Sequence, residues 1–231
     1  MTKKSRWYKA QKYERSFWQN IENKKADLKW YQWRANQIKP FLEQYFFDIN
    51  NIKILEIGSG PIGVLSCLSG SKKCAIEPLY DFYKINPHLI EYSDKNVLFI
   101  KGIGEELPFH DSYFDFIIIN NVLDHCQNPR KVVGEIIRVL RNHGGIVYFS
   151  INIRTSFGKK IRRIIEYLQI DQGHPYSFTK KDILNLFSEF KLENQTFENE
   201  NLIPLHTKKI IKFALGIQEN KYSFFARKNK V

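Results

Sequence analysis

A doubly wound, mostly parallel sheet of seven strands, preceded by an aromatic helical lid, is the fold that this 231-residue sequence predicts. Three observations predict it. Short apolar runs alternate with helical stretches between residues 52 and 151, the spacing of right-handed βαβ crossovers. A glycine-rich turn, GSGPIG, follows the first apolar run. The run FDFIII at 114–119 is apolar toward both faces, as strands buried between two helical layers are.

The elements follow in order. Residues 3–47 read as helical and contain all four tryptophans. Spacings such as Tyr13–Phe17 and Trp30–Trp33 place aromatics on one helix face. Pro40 marks a break or a helix start. Residues 52–57 (IKILEI) form the first strand, and a helix is expected to open near Pro61–Gly63 and run to Gly70. Strands follow at 73–77, ending in Glu77, then at 96–100 and 114–119. Asn128 and Pro129 are a natural N-cap and first residue for an amphipathic helix over 129–141, which Gly144–Gly145 stop. A fifth strand covers 146–151. A basic amphipathic helix is expected at 157–170 and a helix over 180–189, the latter opened by a Thr179/Asp182 capping box. Residues 190–198 and 221–227 read as late strands, antiparallel at the sheet edge.

Composition narrows the class. With 43% hydrophobic and 26% charged residues, the chain can bury one sizeable core. No apolar run reaches the roughly 18 residues of a membrane span, and MTKKSRWYKAQKY has no apolar stretch of the secretory type. Cys67, Cys74 and Cys126 are an odd number without CxxC spacing, which fits a reducing cytosol better than a disulfide framework or structural zinc. Together these features exclude collagen, coiled-coil, solenoid and secreted mini-protein architectures, and no internal repeat is found. The formal net charge of +12 is segregated: +8 over residues 1–40, −3 over 41–150 and +7 over 151–231. Basic flanks of this kind attract phosphates, anionic headgroups or acidic small molecules. Compositional bias toward Lys, Ile and Asn is the plainer explanation.

The chemistry-bearing motifs begin with Glu56-Ile57-Gly58-Ser59-Gly60-Pro61-Ile62-Gly63. Gly58, Gly60 and Gly63 have dinucleotide-fingerprint spacing, which alone is a weak signal. Glu77 lies 19 residues after Gly58, where a carboxylate can accept both hydroxyls of a ribose. Residues 102–145 then read GIGEELPFHDSYFDFIIINNVLDHCQNPRKVVGEIIRVLRNHGG. With Glu56 two residues before the first glycine and Pro61 after the second, the segment 45–151 resembles the class I S-adenosylmethionine-dependent methyltransferases of the methyltransferase type 11 domain family. A nicotinamide-dinucleotide reading fails on these later motifs.

The resemblance implies a Rossmann-like fold with a helical cap over 1–45 and a methyltransferase domain over 46–231, its cofactor-binding core being 46–151. It implies S-adenosylmethionine as cofactor. The residues it places there are Glu56, Gly58, Ser59, Gly60, Gly63, Glu77 and Pro78, then Ile103, Gly104, Glu105, Asn120 and Asn121. Ile103 stands where the family commonly has an acidic or polar residue, so adenine is expected on backbone groups near Gly104–Glu105 and on apolar packing. The bases available to an acceptor are His125, Asp124 and His174, against the plainer reading of each as a cap, packing or loop residue. Cys126 has no activating partner in the sequence. Tyr8 and Tyr13 of the lid are expected beside cofactor or substrate. Loss of residues 1–40 is expected to spoil turnover more than folding.

The dispersed histidines show no metal spacing. Oxygen of an anionic small-molecule, lipid-linked or saccharide acceptor is the expected methyl acceptor, with Lys159, Lys160, Arg162 and Arg163 as the cluster to grip it or a membrane surface. The alternatives are an RNA methyltransferase, which the charge favours although no RNA-binding module is visible, and a non-catalytic S-adenosylmethionine-binding protein. A cytoplasmic location is expected.

Overall fold

The computed structural model describes residues 3–20, 26–167, 175–198 and 220–229. Its centre is a seven-stranded sheet of β1 (Lys53–Ile57), β2 (Lys72–Glu77), β3 (Val97–Lys101), β4 (Phe116–Asn120), β5 (Ile146–Ile153), β6 (Phe190–Glu198) and β7 (Asn220–Lys228). The spatial order is β3-β2-β1-β4-β5-β7-β6. The first five strands are parallel, and β7 runs antiparallel between β5 and β6. The two late strands pair antiparallel with each other, so β7 alone runs against the first five strands, β6 runs with them, and the outer edge belongs to β6. Strand order reverses between β1 and β4, and the crevice beyond their carboxyl ends is where open α/β sheets bind ligands.

Strand periodicity divides the core into two layers. Leu55 and Ile57 of β1, with Ile117 and Ile119 of β4, face α5 (Pro129–Val139) and α7 (Lys180–Leu186). α5 opens as its sequence predicts: Asn128 accepts from the Lys131 N–H, Pro129 follows, and Val132, Val133, Ile136 and Val139 are buried. The Thr179/Asp182 capping box is formed at α7. On the opposite layer, Ile54, Phe116, Ile118 and Tyr148 meet α2 (Leu28–Tyr45) through Tyr31, Ala35, Ile38 and Leu42.

The layer under α2 differs from expectation. Instead of a helix from Pro61 to Gly70, the chain makes only a 3-10 turn at Val64–Cys67 before β2 begins at Lys72. Gly58, Gly60 and Gly63 all adopt positive φ, leaving too few helical residues between the strands for a crossover helix. α2 covers the sheet face that the short crossover leaves open. It runs through Pro40, because Pro40 and Asn36 lie on its exposed side, where water replaces the lost hydrogen bond. Arg34 on α2 is fully buried, donates to Tyr148 Oη at 2.8 Å and lies 4.5 Å from the Trp33 ring centre. Residues 1–40 thus include part of the core, so their loss is expected to cost folding as well as turnover.

α1 (Lys3–Gln19) has no comparable role in the core: Tyr8, Tyr13 and Phe17 are each more than half exposed. The short helices α3 (Tyr80–Lys84) and α4 (Pro87–Ile90) bridge β2 and β3, and α6 (Ser156–Tyr167) follows β5. Among the described residues no helix is long and apolar enough to cross a membrane.

Candidate functional site

A cavity of about 610 Å³ opens at the β1/β4 switch point. Its floor is the glycine turn. Gly58 has a φ of 70°, and a Cβ there would lie 2.4 Å from Val122 Cγ2 at the end of β4. Only glycine fits both conditions. The turn is fastened by two buried carboxylates. Glu56 accepts from the N–H groups of Val64 and Leu65, each at 3.0 Å. Glu77 accepts from Gly60 N and Leu79 N, each at 2.9 Å. Burial pushes both carboxyls up to about 7. Ser59 also borders the cavity, its hydroxyl donating to Gly60 O.

Pro78, Ile103, Gly104 and Glu105 form one wall. The Glu105 carboxylate is turned to the start of α5, accepting from Gln127 N at 2.6 Å and Asn128 N at 3.0 Å. It fixes the loop after β4. That leaves Ile103 and the backbone around Gly104 as the surface facing the cavity.

The opposite wall comes from the end of β4. Asn120 and Asn121 border the cavity, and Asn121 adopts the left-handed region at φ 57°. Asn120 Oδ1 is buried and has no hydrogen-bond partner among the described residues. His125 reaches the cavity. Asp124 does not: it stands behind, with Oδ2 3.7 Å from His125 Nε2. The backbone oxygen of Asp124 accepts from Tyr176 N, and Tyr176 Oη donates to Gln127 O at 2.6 Å, which holds this loop from outside. Cys126 borders the cavity with its thiol donating to Leu123 O, and burial pushes that thiol far above its ordinary range. His174 lies outside the described residues.

α1 roofs the cavity with Trp7, Gln11, Tyr13, Glu14, Phe17 and Trp18. It is pinned at both lips. Trp18 packs edge-on against Tyr83 at 5.9 Å and Arg15 lies over Phe82, both on α3. At the other end Arg6 donates to Pro175 O at 2.5 Å. Tyr13 borders the cavity, whereas Tyr8 is exposed and lies off it.

Several bordering residues carried no signal in the sequence. Tyr31 is buried, with its hydroxyl 3.0 Å from where a Gly60 Cβ would stand. Asn152 on β5 and Lys221 on β7 are paired across the sheet. Their positions depend on α2 and β7 reaching the switch point from remote parts of the chain. Of the expected basic cluster, the two lysines lie elsewhere. Lys159 pairs with Asp182 at 2.6 Å, and neither it nor Lys160 borders the cavity; the side chains of Arg162 and Arg163 lie outside the described residues.

Comparison with known proteins agrees with this geometry. Residues 55–149 match a family model described as a methyltransferase domain. The chain is 32% identical over 162 residues to the thiol S-methyltransferase TMT1B of Rattus norvegicus, covering 63% of this chain and 64% of that protein. It spans less than two thirds of the length of the curated relatives it matches. A Bacillus halodurans protein described as a candidate methyltransferase superposes with a TM-score of 0.64 at 19% identity, over 81% of this chain and 97% of that one. Geranyl diphosphate methyltransferase, solved with S-adenosylmethionine, superposes with a TM-score of 0.62 at 11% identity, over 84% and 85% of the two chains.

Proposed function

We propose that this chain is a class I methyltransferase, a reading supported by the match of residues 55–149 to a methyltransferase domain, and that it transfers the methyl group of S-adenosylmethionine to a small acceptor admitted beneath α1, with oxygen as the receiving atom. One arrangement carries the reading: two buried carboxylates and the unpartnered amide oxygen of Asn120 around a glycine cradle.

The residues present suit this cofactor. Each Glu77 oxygen accepts one backbone N–H and keeps capacity for a ribose hydroxyl. Asn120 Oδ1 offers an acceptor to an ammonium donor. Gly58 and Gly60 leave room for a ligand against the backbone, and Tyr31 borders the same end. Ile103, Gly104, Pro78 and Val122 supply an apolar slot for a base. Carboxylates outnumber Lys and Arg around the cavity, which suits a cationic ligand.

When bound, the cofactor supplies a methyl group on a sulfonium, an electrophile needing no further activation. The chain's task is then to position the acceptor and exclude water. α1 excludes water. His125 takes the acceptor's proton where the acceptor arrives protonated, and the Asp124 carboxylate 3.7 Å from its Nε2 favours the positive charge the ring then carries. A small acceptor is supported over RNA by the roof, which encloses the cavity.

Calorimetry with S-adenosylmethionine and S-adenosylhomocysteine tests the reading; failure of both to bind would overturn it. Glu77→Ala removes a charged acceptor from the ligand and from two backbone N–H groups. Affinity for S-adenosylmethionine is expected to fall by roughly 1–3 kcal/mol, about ten- to a hundredfold. An unchanged titration would move the ribose away from Glu77.

The two raised carboxyls also fix a pH dependence. Glu56 and Glu77 are held near 7 against an ordinary 4.5, so the ligand-free fold binds more protons than the unfolded chain between those values. Their contribution therefore lowers stability as pH rises from about 4.5 to 7. A cationic ligand has the opposite effect, because it favours the ionised forms and expels protons. Affinity for S-adenosylmethionine is expected to rise severalfold from pH 6 to pH 8, a one-unit displacement of a pKa being worth tenfold. S-adenosylhomocysteine, lacking the sulfonium charge, should show a shallower rise. Calorimetry in buffers of different ionisation enthalpy reads the proton release, and a flat profile for both ligands would remove these carboxylates from the cofactor's surroundings.

A further inference from the structure

We infer that the Tyr31 hydroxyl, carried by α2, is the donor that binds the carboxylate at the amino-acid end of the cofactor. This rests on the methyltransferase reading above and adds to it the residue that recognises one end of the ligand.

The polar groups of the cofactor differ in what they need. Ribose hydroxyls and an ammonium bring protons, and acceptors for them stand ready in Glu77 and Asn120 Oδ1. A carboxylate can only accept, so it needs a donor. Most donors of the glycine turn are already committed. Gly58 N–H donates to Ile76 O, and Gly60 N–H to Glu77. The N–H groups of Val64 and Leu65 donate to Glu56, and the Ser59 hydroxyl to Gly60 O. Against the same turn stands the hydroxyl of Tyr31. The residue borders the cavity and is only 6% exposed, and its oxygen lies 3.0 Å from where a Gly60 Cβ would stand. Among the described residues no acceptor takes its proton.

The surroundings keep that proton in place. Burial foremost, then the charges of Glu56 and Glu77, disfavour the phenolate and hold the hydroxyl far above its ordinary range. The same two carboxylates repel an anion laid against the turn, so the ligand's carboxylate has to be met by a donor. A neutral donor suits the place better than a cation. It receives the carboxylate without cancelling the negative charge that attracts the sulfonium and the ammonium. A buried donor left without an acceptor also carries a free-energy penalty, which a ligand oxygen relieves. α2 fixes the position of the group. Tyr31 shares a buried helix face with Ala35, Ile38 and Leu42, packed on the sheet, and Trp30 meets its ring edge-on at 5.0 Å. The hydroxyl is therefore pre-positioned, and little freedom is lost when a ligand binds it.

The test titrates the full chain by calorimetry with S-adenosylmethionine and with its decarboxylated analogue, which keeps the sulfonium and the amine. Tyr31→Phe removes the hydroxyl and keeps the ring. Its affinity for S-adenosylmethionine is expected to fall about tenfold, the scale of a hydrogen bond to a charged group, with affinity for the decarboxylated analogue unchanged. The ligand-free melting temperature of Tyr31→Phe should equal or exceed that of the wild type, because the lost hydroxyl donates to nothing described in the fold. The inference is overturned if Tyr31→Phe binds S-adenosylmethionine as the wild type does, if both ligands weaken alike, or if the variant loses its cooperative melt. Failure of S-adenosylmethionine to bind the wild type sinks the methyltransferase reading, whereas its binding with equal loss of both ligands in Tyr31→Phe sinks only the role of Tyr31.

Discussion

Deleting residues 1–20 is expected to leave a folded protein without methyl transfer, whereas deleting residues 1–45 is expected to leave no folded protein. The difference lies in what each helix buries. α2 inserts Tyr31, Ile38 and Leu42 between itself and the sheet, all nearly or fully inaccessible to solvent. Burial of side chains of this kind is worth about 1.5–3 kcal/mol each. Their sum approaches the whole stability of a typical domain, about 5–15 kcal/mol. The shorter deletion spares all of them. It removes the roof, its anchors on Tyr83, Phe82 and Pro175, and the enclosure that shields the reacting atoms from water. Circular dichroism melting and S-adenosylhomocysteine release measure the two properties separately. Full turnover by the 21–231 protein would dismiss the roof, and a cooperative melt of the 46–231 protein would show that α2 is dispensable to the core.

Replacing Gly58 by valine is expected to abolish cofactor binding, with affinity lowered at least a hundredfold. Two penalties act at once. The backbone at φ 70° disfavours any β-branched residue, at a cost of about 1–3 kcal/mol. The new Cβ would also stand 2.4 Å from Val122 Cγ2, so the turn must shift away from β4. Such a shift displaces Gly60, whose N–H holds Glu77, and so carries the cofactor's walls with it. Gly58→Ala with Val122→Ala separates the two penalties: it relieves the collision and keeps the backbone strain, so partial recovery of binding is expected. Calorimetric affinity unchanged in Gly58→Val would place the cofactor elsewhere.

Much of the site was legible because its signals are local. Glu56, the three glycines and Glu77 fall within 22 consecutive residues, and each acts on backbone close to it in the chain. The caps of α5 and α7 are likewise set by residues three apart. Glu105 shows the limit. Its place beside Gly104 could be read, but its engagement with Gln127 and Asn128 could not, because those N–H groups lie more than twenty residues away.

The sequence by itself determined the alternation of strands and helices, the turn after β1 and the carboxylate closing β2. Strand periodicity, glycine freedom and cap chemistry are encoded within a few residues. Tertiary structure alone decided which segment covers the second face of the sheet. The burial of apolar surface is non-directional, so the buried stripe of α2, with Tyr31, Ala35, Ile38 and Leu42, could take the place of an expected crossover helix without any local mark of it. By the same route it brought Tyr31 to Gly60, set His125 on the cavity with Asp124 behind it, and placed Lys221 opposite Asn152. Tyr31 and Gly60, like Lys221 and Asn152, are remote in the chain and share no local pattern, and only the closed sheet and its packed helices put them around one cavity.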